Sequence, residues 1–193
     1  IPKIKQKSGK HKIPFNLAGY LNEMLGVDVT EVVGISEISA LNIMSEAGID
    51  MTKWKNHNHF ASWLGLAPNT KKSGGKIISS KVPKKKHYAG QAFRIAASSL
   101  YNSKSPLGDF YRRIRAKAGA GKAVVATARK LAIIYYEMVL KKEAFNPNAL
   151  SEYQQKYKLK KINQLKKIIY PFLFLWIFPK KVLTDQSVQE KSL

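Results

Sequence analysis

Apolar residues recur along this chain in short blocks with the three-to-four-residue period of a helix face. Phe15, Leu17, Leu21, Met24 and Leu25 form the first block, and Gly26 offers a stop. Residues 30–34 then link to a second run, Ile38, Ala40, Leu41, Ile43, Met44 and Ala47, closed by Gly48. "NHNHFASWLGLAP" predicts a third, short helix with Phe60, Ala61, Trp63 and Leu64 inward, ended by Gly65 and Pro68. Ala89, Ala92, Phe93, Ala96, Ala97 and Leu100 mark a fourth helix with Arg94 on its flank, broken by Pro106 and Gly108. "LGDFYRRIRAK" follows as a basic helix packing through Leu107, Phe110, Tyr111 and Ile114. A Gly-Ala-Gly turn at residues 119–121 leads into a long apolar helix through about Leu140, the expected centre of the core. The pattern predicts a mainly α fold: a compact helical domain over residues 14–145.

The first two helices, joined through a Gly-containing turn, suggest a helix-hairpin-helix. Such a hairpin presents backbone N–H groups to a phosphate at a helix N-terminus. Any pair of helices in an α-bundle would show "EVVGISEISA" as readily, so both readings stand at this point. Ser36 is placed to cap the second helix in either.

Charge changes the picture. With 34 Lys and Arg against 12 Asp and Glu, the formal net charge is +22, far beyond what solubility requires. Nucleic acid is the first partner to expect. The imbalance is also local: between Asp50 and Asp109 lie eleven Lys or Arg and no carboxylate. With no cysteine, disulfide frameworks and thiolate zinc sites are excluded. His57 and His59 stand two residues apart, on different faces of a helix, which disfavours a metal site and assigns them capping or surface roles.

The ends differ from the middle. Residues 1–13 read as a basic flexible arm ending at Pro14. They contain no apolar signal-peptide core, and a cytoplasmic, nucleoid-associated location in a bacterium or archaeon is expected. The chain opens on Ile rather than Met, which suggests the downstream part of a longer product. Residues 146–167 predict a basic amphipathic helix. Residues 168–193 form an apolar, then polar, tail whose "IIYPFLFLWIF" is too short to span a membrane. With its flanking lysines that run suits a membrane surface or a protein core equally.

The chemistry concentrates in "TKKSGGKIISSKVPKKK", residues 70–86, where Ser73, Gly74 and Gly75 sit among Lys71, Lys72, Lys76, Lys81, Lys84, Lys85 and Lys86. Lysines at this density, with Arg94 nearby, suit phosphate contact. Ser73 reads either as a nucleophile held beside a phosphate or as a polar residue in a solvated basic loop. "GAGK" at residues 119–122 is not a phosphate-binding P-loop: the leading Gly is missing and Ala123 replaces the required Ser or Thr.

The run from residue 29 to 82, beginning "VTEVVGISEISALNIMSEAG", followed by "FRIAASSLYNSKSPLGDFYRRIRAKAGAGKAVVATARKLAIIYYEM", resembles the C-terminal domain of the IS-one-ten insertion-sequence transposases, the DEDD, bridge-RNA-guided recombinases. The resemblance covers about residues 14–167, with "FASWLGLAP", "SGGK" and "FYRRIRAK" in the expected order and spacing. It implies DNA transposition and site-specific recombination. It also implies a serine nucleophile, which falls on Ser73, and a separate N-terminal resolvase-like domain whose four carboxylates bind Mg2+. Structured guide RNA as well as DNA would be partners, in a homo-oligomeric enzyme. This chain holds no counterpart of the carboxylate domain, so the resemblance implies a fragment, inactive alone. Ser36 stands where a glycine is common in the family's hairpin turn. The reading that competes with a catalytic Ser73 is a non-catalytic nucleic-acid-binding module.

Overall fold

In a computed structural model, residues 15–83, 87–147, 155, 158–167 and 169 are described. The expected arm, Lys84, Lys85 and Lys86, and the tail apart from residue 169 lie outside them. The chain divides into two units, Ile1–Asn146 and Pro147–Leu193. In the second, residues 158–167 are helical and exposed along their whole length, including Leu159, Ile162 and Leu165.

The first unit is mainly α. Its helices are α1 (Leu17–Leu25), α2 (Glu37–Ala47), α3 (His57–Trp63), α4 (Tyr88–Ser99), α5 (Pro106–Ala118) and α6 (Ala120–Lys141), with one two-stranded hairpin, β1 (Lys71–Ser73) and β2 (Lys76–Ser79), between α3 and α4. Three single 3-10 turns bridge the gaps after α1, α2 and α4.

Helix α6 is the axis, as its apolar length predicts. It packs against α3, α4 and α5 and buries Ala123, Thr127, Ala128, Leu131, Ala132, Tyr135, Tyr136, Met138 and Val139. Helix α4 buries Ala89, Ala92, Phe93, Ala96 and Ala97 between α2 and α6, and its alanines let the helices approach closely. Gly90 completes that approach: a Cβ there would lie 2.4 Å from the Leu64 carbonyl oxygen at the end of α3. Phe60 stacks near Tyr135 and meets Phe93 edge-on, joining α3, α4 and α6 through one aromatic cluster that also holds Trp54 and Trp63.

Side chains begin most of the helices. Asn16 Oδ1 accepts from the Gly19 N–H, Ser36 Oγ from Ser39, Asn56 from Asn58 and His59, and Ser105 from Gly108. Pro106 therefore begins α5 as its first residue rather than merely ending α4, because the first turn needs no N–H from it. At the other end of α1, Lys142 Nζ donates to the Leu25 carbonyl at 2.7 Å, placing a cation on a helix C-terminus from far along the chain.

The helical period misplaces several side chains. Phe15, Met24, Ile38 and Leu41 follow the period of their blocks but are exposed. The turn expected at residues 119–121 shrinks to Gly119, whose positive φ of 87° lets α5 run directly into α6. "GAGK" is thus the first turn of a helix.

Candidate nucleic-acid interface

The expected basic loop is a β-hairpin. Lys72 pairs with Ile77 and Ser73 with Lys76, so Gly74 and Gly75 form the two-residue tip with φ of 53° and 75°. Two consecutive positive φ values define the type I′ turn that matches the right-handed twist of a two-stranded ribbon. The glycines are needed for that backbone; a Cβ on either would meet nothing within 4 Å. At the base, the Asn69 N–H donates to the Lys81 carbonyl at 3.0 Å, and a bulge interrupts the register between Lys71 and Lys72.

Ser73 is exposed at the last position of β1, opposite Lys76. Opposed residues in a ladder share a face, so the hydroxyl and the Lys76 ammonium project to the same side. Lys71, Lys72 and Lys81 are also exposed. The hairpin therefore brings Ser73, Gly74, Gly75, Lys71, Lys72 and Lys76 together as one cationic arm. Lys81 stands at its base, and Lys84, Lys85 and Lys86 lie outside the described residues. Arg94 is elsewhere: it is half-buried on α4 and donates to the Gly65 carbonyl at 2.8 Å, beside the end of α3.

Five of the acids are engaged in building the fold. Asp28 and Asp50 each cap a 3-10 turn through the backbone and hydroxyl of Thr30 and Thr52, and these bonds lower the carboxyl of Asp50 below its ordinary range. Asp109 pairs with Arg112. Glu46 reaches from α2 to the start of α4, where it accepts from the Ala89 N–H at 2.6 Å and meets His87 Nδ1 at 2.8 Å. It performs the capping that no side chain of α4's own N-cap performs, and it anchors the chain returning from the hairpin. Glu137 holds Lys141 at 2.9 Å and His57 at 3.0 Å; its bond to Lys141 chiefly, opposed by burial and helped by His57, keeps its carboxyl below the usual range.

Further cations gather on α5 and α6. Arg113 and Lys130 both approach the Phe110 ring, at 5.3 and 4.8 Å from its centroid, and Arg115 lies 4.3 Å from the centroid of Tyr101. Burial, then Arg113, pushes the Lys130 ammonium below its ordinary value. Lys122 and Arg129, which no motif marks, lie beside the hairpin's second strand. Their seven-residue spacing puts them on one face of α6, a signal visible only once the hairpin is known to return there.

Where a helical hairpin was one of two expectations, the chain forms α1, a 3-10 turn and α2. Ser36 caps α2 as expected, with Oγ 3.2 Å from the Ser39 N–H. Gly34 is positioned by close contact: a Cβ there would lie 2.9 Å from the Ala96 carbonyl oxygen. Trp54 and Trp63 are in the aromatic cluster, so among the described residues the tryptophans pack rather than form an exposed stacking platform.

Among the described residues no three His, Asp or Glu come together as a metal site. The described side chains of this unit therefore form no cluster suited to Mg2+. No described helix is long and apolar enough to cross a membrane.

The segment from the start of the helical hairpin's turn, through the basic arm and into α5, is also where the chain matches known sequence. The model of the Transposase IS116/IS110/IS902 family matches residues 28–112. This is the family that the sequence resembles; "FASWLGLAP" and "SGGK" lie inside the matched segment, which spans under half of the chain. The match includes Ser73 and every lysine of the arm, and stops within α5. No curated protein matches the chain.

Proposed function

We propose that the hairpin is the DNA-contacting arm of a transposase domain and that Ser73 is the nucleophile it presents. The observation that carries this reading is the exposed Ser73 residue beside the tip of a type I′ hairpin, sharing a face with Lys76 and flanked by Lys71 and Lys72. Attack by Oγ on a backbone phosphorus would form a serine–phosphate ester and break the bond to one deoxyribose oxygen, which leaves with a proton. The hydroxyl's own proton goes to a base. Rejoining reverses these steps and uses the retained ester. The lysines would neutralise the phosphate and the charge that builds during attack.

Among the described residues no hydrogen bond joins Ser73 to a carboxylate or imidazole, so the reading takes the base from another domain. That fits a composite active site completed by a carboxylate-bearing domain, where the Mg2+ of the family would belong. Guide RNA is a second polyanion that the same cations would suit.

One observation favours the competing, non-catalytic reading. The Gly-Gly tip is fully explained by turn geometry, so the glycines alone imply no close approach by a phosphate. Covalent capture separates the two. With the carboxylate domain and Mg2+ supplied, labelled DNA should become joined to the protein and resist denaturation, and Ser73→Ala should abolish the adduct while leaving DNA affinity within about twofold. An adduct that persists in Ser73→Ala would rule Ser73 out.

A further inference from the structure

Beside the hairpin, between the end of β2 and the first half of α6, lies an open groove of about 740 Å3. Ile78, Val82 and Val125 give it an apolar lining, and Lys81, Lys122 and Arg129 are the charged residues that border it, with no carboxylate. Arg129 is braced by Asn58 Oδ1 at 2.9 Å, and Ile78 is 69% exposed at the rim. Nothing in the proposed chemistry at Ser73 uses this groove.

Its composition selects an occupant. Three cations without an acid call for an anion, while the apolar lining calls for an uncharged body attached to that anion. A nucleotide combines the two. The volume lies in the range of sites for single small molecules, far too small for a duplex. Position supports the same choice: β2 starts at Lys76, opposite Ser73, and its continuation supplies Ile78, Lys81 and Val82 to the groove. At about 3.3 Å per strand residue, the groove begins within roughly 7 to 17 Å of the serine along the ribbon. That is a few nucleotide steps along one DNA strand.

We propose that this groove receives one unpaired nucleotide of the DNA strand whose backbone lies on the hairpin, its base against Ile78, Val82 and Val125 and its phosphates on Lys81, Lys122 and Arg129. The proposal rests on the reading of the hairpin as a DNA-contacting arm. It adds that the arm acts on DNA with a base out of the stack. Unstacking costs a few kcal/mol and is least costly where a base is already unpaired, so the groove makes the protein a selector of bulged or locally opened DNA. Ser79 and Ser80, also bordering the groove, supply hydroxyls that can meet base edges of either polarity. With no aromatic ring bordering it, the groove should discriminate weakly among bases.

The test uses the full chain and two duplexes differing by one unpaired 2-aminopurine. The bulged duplex should bind about tenfold more tightly than the paired one, and fluorescence should rise as the probe leaves its neighbours for a ring-free pocket. Val125→Glu, which fills the groove and sets a carboxylate against its cations, should remove the preference and the fluorescence change but leave paired-duplex binding within about threefold. Lys122→Ala, at an exposed position, should reduce the preference severalfold without involving the core, guarding against a misfolded Val125 variant. Equal binding of both duplexes would overturn the groove assignment and leave the arm's DNA contact intact; failure to bind either would overturn both. An acidic peptide that binds in a Val125-dependent manner, without any bulge preference, would assign the groove to a protein partner and overturn the proposal.

Discussion

At the scale of single residues, the tip of the hairpin separates what glycine does for the backbone from what it would do for a ligand. Gly74 has φ of 53° with open space around its α-carbon. Asn is the side chain best tolerated at this first position of a type I′ turn, and a β-branched residue the worst. Gly74→Asn should therefore retain DNA affinity within about twofold, whereas Gly74→Val should melt the hairpin, read as loss of cross-strand contacts by NMR and severalfold weaker binding. If Asn is as damaging as Val, the glycine serves a close approach and not merely the turn. In the core, the Tyr135 hydroxyl is buried without a hydrogen-bond partner among the described residues, and burial pushes its ionisation well above the ordinary range. Tyr135→Phe removes that unsatisfied group and keeps the ring against Phe60 and Phe93. Stability to urea should stay level or rise by about 1 kcal/mol, while Tyr135→Ala should lose roughly 3–5 kcal/mol.

At the scale of elements, long-range caps hold the helices that carry the arm. Glu46 joins α2 to the start of α4, and Glu137 joins α6 to the start of α3 through His57. The carboxyl of Glu137 is lower in the fold than in the unfolded chain, so its contribution is present above the unfolded value, about 4.3, and is lost as pH falls through the folded one. Glu137→Gln should lower stability near neutral pH and flatten the decline below about pH 5. A variant whose thermal midpoint tracks the parent at every pH would show that the pair contributes nothing. Hairpin and caps were differently legible. "SGGK" between lysines reads as a loop because the flanking runs are too short and too basic for a strand pattern; the alternation needed to see a ribbon is obscured by the bulge between Lys71 and Lys72.

At the scale of the whole molecule, the charge imbalance acquires a spatial pattern. Asp28, Asp50, Asp109, Glu46 and Glu137 are committed to caps, backbone N–H groups and local ion pairs, which leaves the hairpin and the neighbouring face of α6 without nearby acids. Binding to duplex DNA should therefore depend steeply on salt. Six neutralised phosphates would give a log–log slope of about −5, and replacing Lys71, Lys72 and Lys76 together with alanine should flatten it by about three. An unchanged slope would remove the arm from the DNA interface.

The apolar period along the chain determined the helices, their order and the central place of α6, because burying a face at every third or fourth residue is a local constraint that the sequence carries by itself. Composition pointed to a polyanionic partner, and short motifs to the transposase family whose model matches residues 28–112. Tertiary structure decided which faces are covered: Met24 and Ile38 satisfy the helical period yet stay exposed, since periodicity records a helix and not its neighbours. It alone decided that Lys122 and Arg129 stand beside a strand far away in sequence, that Glu46 caps a helix it does not belong to, and that an apolar groove adjoins the serine's arm. Contacts of that kind depend on how the chain folds back on itself, and no local spacing encodes them.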